Sequence, residues 1–282
     1  MVDVSVVIPI GRVDEELKLQ FDALDNQNFT GSWELILSLN SRNSAEKEKL
    51  DTLAKEFKSA QVIVADSSSV KGASYARNVG AKQCSAEFIL FCDGDDIAEE
   101  SWISKLFLAL QNSPNSAVGG HLEEDLLSIE GQENWRPPAT PGELPSFLGH
   151  KYLVSANMGV SKQNFLDVGG FREDLIRCED IAFSWDLIEK GIDLEYVPSA
   201  VIYYRHRKGL KSMIQQHYLY GRGFSQLLKR QGTPGGSEEN SFLSNLKPNA
   251  QPVSSKNFVY FTRRGSIAAG RIVGLAEERF RK

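Results

Sequence analysis

Short apolar runs alternate with longer stretches whose apolar residues recur every three or four positions, from Val4 as far as Gly119. Parallel strands need a crossover, usually a helix, whereas a hairpin does not, so this order predicts an α/β chain with a mostly parallel, helix-covered sheet. Strands are expected at about 4–10, 34–39, 61–65, 88–91 and 117–119, and helices at about 14–27, 45–58, 72–83 and 99–110. Leu17, Phe21 and Leu24 supply the buried stripe of the first helix. In such a sheet ligands gather outside the carboxyl ends of the strands, so the residues that follow each strand are the ones to read for chemistry.

The alternation lapses after Gly120 into a polar segment carrying Pro137, Pro138, Pro141 and Pro145, too irregular for the core. Order returns at 152–160, followed by a helix near 162–167, the turn Gly169–Gly170, a helix over about 179–190 and a strand pair within 194–204. Residues 1–230 therefore read as one catalytic-sized domain. Residues 231–255, with Pro234, Gly235, Gly236, Pro248 and Pro252, read as a flexible linker. The stretch 256–282 holds seven Lys or Arg and two Glu among apolar residues, and reads as a basic amphipathic C-terminal helix. Such a helix can lie on an anionic membrane, or dock on its own domain or a second subunit. Gly265 and Gly270 weaken an isolated helix and favour docking.

Composition removes several function classes. A formal charge of -5 argues against a partner bound through many phosphates, so no nucleic acid is expected. No basic and apolar leader opens the chain, no apolar run approaches the roughly 20 residues of a spanning helix, and the three cysteines lack CxxC spacing. A cytoplasmic protein is expected, or one peripheral on the inner face of the membrane. Neither GxxxxGK[ST] nor GxGxxG follows a strand, which removes support for a P-loop or dinucleotide enzyme.

Asp93, Asp95 and Asp96 crowd three carboxylates into four positions just after an apolar strand. Carboxylates this close repel unless protons or a cation compensate, and hard oxygen ligands beside substrate phosphates suit Mg2+ or Mn2+. An acidic helix cap is the plainer alternative.

The surrounding residues carry a resemblance. Lys71 to Gly80 (KGASYARNVG) and then Phe88 to Asp96 look like the segment leading into the DxD motif of family 2 glycosyltransferases. Val4 to Ile10 is similar to that family's first strand. Gly169, Gly170 and Phe171, then Glu179 and Asp180, resemble its later GGF and ED motifs, and the likeness spans about residues 3–206. It implies the GT-A fold: a doubly wound nucleotide-binding sheet merged with a smaller acceptor-side sheet, here with a C-terminal helical tail added. It also implies an inverting sugar transfer that uses a divalent cation, Mn2+ or Mg2+.

Carried over by position, Asp93 and Asp95 become the DxD pair, with Asp95 the direct metal ligand and Asp96 in support. Asp180 becomes the catalytic base, with Glu179 beside it orienting the acceptor or serving as the base itself. Arg77 and Lys71 add positive charge near the nucleotide, Asn157 is placed to bond a sugar hydroxyl or to satisfy buried backbone, and His206 to complete the metal site or sit in a solvated basic loop. The chain departs from the family at the end of the second strand, where Asn40 replaces an acid, and near Pro9, which is followed by Gly11 and Arg12. Those four residues are read as nucleotide contacts, with a UDP-sugar preferred to a GDP-sugar and a glycan or lipid-linked acceptor. A metal-dependent nucleotidyltransferase and a catalytically silent sugar-nucleotide-binding subunit are the alternatives.

Overall fold

The computed structural model describes residues 2–130, 132, 135–236 and 258–281. Its first half follows the expected alternation: β1 (Val4–Ile10), α1 (Glu15–Asp25), β2 (Trp33–Leu39), α2 (Ser44–Glu56), β3 (Gln61–Asp66), α3 (Ala73–Gln83) and β4 (Phe88–Cys92). The β1, β2 and β4 strands are buried on both faces, which is why they read as apolar runs. Side-chain caps fix two helix starts: Asp14 accepts from the Leu17 amide, and Asn43 from that of Ala45.

After β5 (Ile97–Ala98) and α4 (Trp102–Asn112) come β6 (Ser116–Glu123), the short strands β7 (Ser146–Phe147) and β8 (His150–Lys151), and β9 (Asn157–Ser161). Then follow α5 (Lys162–Asp167), α6 (Glu179–Glu189), β10 (Asp193–Tyr203), α7 (Leu210–Arg230) and α8 (Phe258–Phe280). One eight-stranded sheet results, in the order β3-β2-β1-β4-β9-β6-β10-β5, with β7 and β8 forming a separate two-stranded sheet. The β1, β2, β3 and β4 strands pair in parallel, as do β6 and β10, whereas β9 runs antiparallel between β4 and β6. The strand pair expected within 194–204 is a single strand, β10, whose register slips between Val197 and Val201. That irregularity lies where Ala200 turns its carbonyl to the Asn157 amide.

The expected linker over 231–255 lies outside the described residues from 237 onward. The C-terminal helix docks on α7 rather than standing apart, and its glycines explain how. A Cβ at Gly270 would collide with the Tyr218 carbonyl, and one at Gly221 with that of Ile267. Small residues on both helices let the backbones touch, so the glycines that would weaken a lone helix are what make this crossing possible. Arg222 pairs with Glu277 and Arg230 with Glu278 across the seam. Phe258, Phe261, Ile272 and Phe280 stay exposed. Gly270→Ala is expected to prise α8 from α7, lower stability by about 2 kcal/mol and expose the tail to limited proteolysis. Thermal unfolding and protease digestion check this, and unchanged values would mean that the contact is slack.

Candidate active site

The loop after β4 carries Asp93, Asp95 and Asp96, and one ligand oxygen from each lies within 4.8 Å of the others. Buried Gln20 on α1 holds the loop at both ends, donating to the Asp93 carbonyl at 3.1 Å and accepting from the Ala98 amide at 2.8 Å. Arg205, just beyond β10, closes the other side: its amide donates to Asp96 Oδ1 at 2.8 Å and its Nε to the Asp95 carbonyl at 2.9 Å.

Arg77 links this loop to the start of α6. It is buried on α3 and donates to Asp93 Oδ1 at 2.6 Å and to Glu179 Oε1 at 3.2 Å, with its guanidinium over the Phe171 ring. Burial opposes its charge, yet the two acids outweigh that and raise its pKa. The next residue, Asn78, pins the GGF turn by accepting from the Phe171 amide and donating to the Phe171 carbonyl. Consecutive side chains of α3 thus fix both later motifs, a fork geometry that lysine cannot copy at position 77. Arg77→Leu would leave Asp93 and Glu179 without their shared cation, and a stability loss of about 3 kcal/mol in urea titration is expected. A loss below about 1 kcal/mol would mean that the two acids do not depend on it.

Cys178, before α6, takes a left-handed conformation (φ 71°, ψ 22°), unusual for a residue with a side chain. Gly223 of α7 permits it, because Arg177 packs directly against the glycine backbone. The turn aims Asp180 into the cleft. Desolvation, then the charge of Glu179, push Asp180 up to about 7, against the pull of the Ile181 amide and Arg77. Desolvation and Asp93 raise Asp95 to about 6, although its carboxylate is reachable by solvent. Asp96 is fully buried and raised well above the usual range by desolvation, Asp93 and Asp95. Its Oδ2 has no hydrogen-bond partner among the described residues. Three carboxylates with one orphaned oxygen, met by a single buried guanidinium, fit a hard divalent cation.

Three cavities meet here. A cleft of about 590 Å³ runs from Pro9, Gly11 and Arg12 past Asn40 and Lys71 to Asp93 and Asp95. A second, of about 240 Å³, brings Arg77, Asp93 and Asp95 together with Glu179 and Asp180. Asp180 and Tyr220 also line a third, which opens beside α7 and α8.

Two expected contacts lie elsewhere. Asn157 is buried, accepting from Trp102 Nε1 and donating to the carbonyls of His121 and Ala200, so its amide secures β6, β9 and β10 instead of facing a sugar. His206 faces Glu124 at 3.3 Å on the wall of the third cavity, and the acidic cluster is completed by Asp96 in its place. Asn40 borders the first cleft, but its amide donates to the carbonyls of Ser67 and Val70 and accepts from the Gly72 amide, which makes it a brace for the loop before α3. Gln20, Arg177, Tyr204 and Tyr220 were not singled out from the sequence. Gln20 alone had a signal there, a polar residue on the Leu17–Phe21–Leu24 stripe.

Residues 5–152 match the family model for glycosyl transferase family 2. The chain belongs to that family. Among curated proteins, this family 2 member is 26% identical over 175 residues to the pre-mycofactocin glycosyltransferase of Mycobacterium tuberculosis, covering 57% of this chain and 36% of the relative. It is 24% identical over 189 residues to an uncharacterized glycosyltransferase of Haemophilus influenzae, covering 66% of this chain and 62% of that one. The chain thus spans about a third of the length of the mycobacterial relative. Among solved structures it resembles the mannosyltransferase PcManGT from Pyrobaculum calidifontis in complex with GDP-Man and Mn2+ (TM-score 0.66, 10% identity, 99% of this chain and 76% of that one). It also resembles S. aureus TarS 1-349 in complex with UDP-GlcNAc (TM-score 0.59, 16% identity, 99% and 93%). At such identities the likeness shows the GT-A fold. No helix among the described residues is long and apolar enough to cross a membrane.

Proposed function

We propose that the chain transfers a sugar from a nucleoside-diphosphate donor to an acceptor hydroxyl with inversion at the anomeric carbon, within a catalytic domain spanning residues 1–230. The observation that carries this reading is the single cleft shared by the acids after β4 and the acids at the start of α6. The donor would lie along the cleft between Pro9 and Asp95, with its base beside Gly11 and Asn40 and its diphosphate among Arg12, Lys71, Arg177 and Arg207, all of which line that surface. A divalent cation, Mn2+ or Mg2+, held by Asp95 with Asp93 and Asp96, would supply Lewis-acid stabilisation of the departing diphosphate.

The chain's own groups do the rest. Glu179 is committed to Arg77, whereas Asp180 reaches both the reaction cleft and the cavity beyond. Asp180 is therefore the base: its carboxylate takes the acceptor hydroxyl proton as the acceptor oxygen bonds the anomeric carbon from the face opposite the leaving oxygen. A pKa near 7 suits a base that works at neutral pH. Arg77, Arg177 and Arg207 oppose the charge that grows on the diphosphate. A UDP-sugar is favoured over a GDP-sugar, and the acceptor is a glycan or a lipid-linked sugar.

The test is a panel of UDP- and GDP-sugars assayed for thermal stabilisation and slow hydrolysis with Mn2+, Mg2+ or chelator. Metal-dependent stabilisation by at least one donor is expected. Failure of every donor in both metals would refute the reading.

A further inference from the structure

Behind Asp180 the third cavity, of about 340 Å³, is walled by the Pro137–Pro138 segment, α7 and α8. Two guanidiniums line it, Arg136 from the irregular segment and Arg263 from α8. Each has a buried Nε with no hydrogen-bond partner among the described residues, and neither forms an ion pair with one of them. Arg136 donates to the Arg207 carbonyl at 3.2 Å, and Arg263 lies over the Tyr260 ring at 5.7 Å. Of the acids of the cavity, Glu124 faces His206, accepts from the Ala139 amide and attracts Arg136 without forming an ion pair with it, while Asp180 borders the reaction cleft.

Burial lowers the pKa of both guanidiniums, and for Arg263 the charges of Arg264 and then Arg136 add to the effect. Buried guanidiniums that form no ion pair are costly, and an arriving anion relieves that cost. The open Nε positions and planar forks match phosphate oxygens.

We propose that this cavity binds an acceptor carrying a phosphate ester, which Arg136 and Arg263 hold while the acceptor hydroxyl lies against Asp180. The inference rests on the transferase reading and adds the chemical class of the acceptor. It also makes α8 a wall of the acceptor site. The phosphate can belong to a soluble glycan or to a lipid headgroup, and both present the same chemistry to the arginines.

The experiment titrates the full chain with glycerol 3-phosphate and with glycerol by calorimetry, using wild type, Arg136→Gln, Arg263→Gln and Arg263→Lys. Glycerol 3-phosphate should bind wild type where glycerol does not. Each Gln variant should weaken it by about tenfold or more, with Arg263→Lys in between. Phosphatidylcholine vesicles with and without phosphatidylglycerol separate the sources: sedimentation with anionic vesicles that Arg263→Gln abolishes points to a headgroup, and glycerol 3-phosphate binding without it points to a soluble glycan. If Arg263→Gln fails to fold, Arg136→Gln and the wild-type contrast still decide. Equal binding of both glycerols, or phosphate binding that survives in both Gln variants and so belongs to the nucleotide cleft, would overturn the proposal. Metal-dependent donor hydrolysis by wild type, measured alongside, reports separately on the transferase reading.

Discussion

Asp95→Ala is expected to lower kcat/KM for sugar transfer by about a thousandfold or more, a loss of about 4 kcal/mol of transition-state stabilisation. The size follows from how the three carboxylates are committed. Asp93 and Asp95 both border the first and second clefts, but Asp93 is held by Arg77 and Asp96 is buried with Oδ1 on the Arg205 amide, whereas Asp95 forms no ion pair with a described residue. Removing it takes away the most exposed carboxylate of the group and leaves two that are already engaged. The backbone contacts of the loop, Gln20 to the Asp93 carbonyl and Arg205 to the Asp95 carbonyl, survive the change, so the variant should fold. Steady-state kinetics across a Mn2+ series checks this; residual activity should no longer respond to metal. A variant retaining most of its metal-dependent rate would place the cation elsewhere.

Asp180→Asn should cost about a hundred- to ten-thousandfold in kcat while nucleotide binding persists, because the amide keeps the shape of the base and loses its ability to accept a proton. Its pH behaviour adds a second readout. In the wild type the base works only when ionised, so the rate should climb with pH through about 7 and level off above it, and the variant should lack that limb. The stability sign runs the other way. A carboxyl raised in the folded chain keeps its proton where the unfolded chain has lost it, so Asp180 lowers stability progressively as pH rises from the ordinary carboxylate range through about 7. At pH 8 the Asn variant should therefore be more stable than wild type, by about 1–3 kcal/mol. Chemical denaturation at pH 5 and pH 8 measures the difference, and a variant less stable at pH 8 would show that the carboxylate is well solvated.

The first half of the fold was legible because β1, β2 and β4 are buried on both faces and the helices that connect them on one, so pattern and burial coincide. The α7 helix was missed. Met213, His217, Phe224 and Leu227 do repeat at helical spacing, but Gly221 and Gly223 interrupt the stretch, and their reason is tertiary: each meets another segment too near for a Cβ. The acids after β4 and at the start of α6 were readable from motif order, and the structure gathers them around Arg77. The choice between the two roles open to Asn157 and to His206 is not legible in the sequence, because an amide or an imidazole near a motif does not reveal which way it faces. Asn157 serves Trp102 and two carbonyls, and His206 serves Glu124, partners far away in sequence. The arginines of the third cavity were invisible for a similar reason: Arg136 lies in a stretch that reads as irregular surface, and Arg263 in a tail whose docking only the folded chain reveals.

The proposed transfer would require a divalent cation held by the aspartates after β4, next to the diphosphate of the donor. Anomalous diffraction at the manganese edge, from crystals grown with Mn2+ and either UDP or GDP, locates that ion directly. A peak beside the Asp95 carboxylate, bridging to phosphate oxygens, is the predicted result; bound nucleotide with no peak there, or a peak at His206 and Glu124, would contradict it.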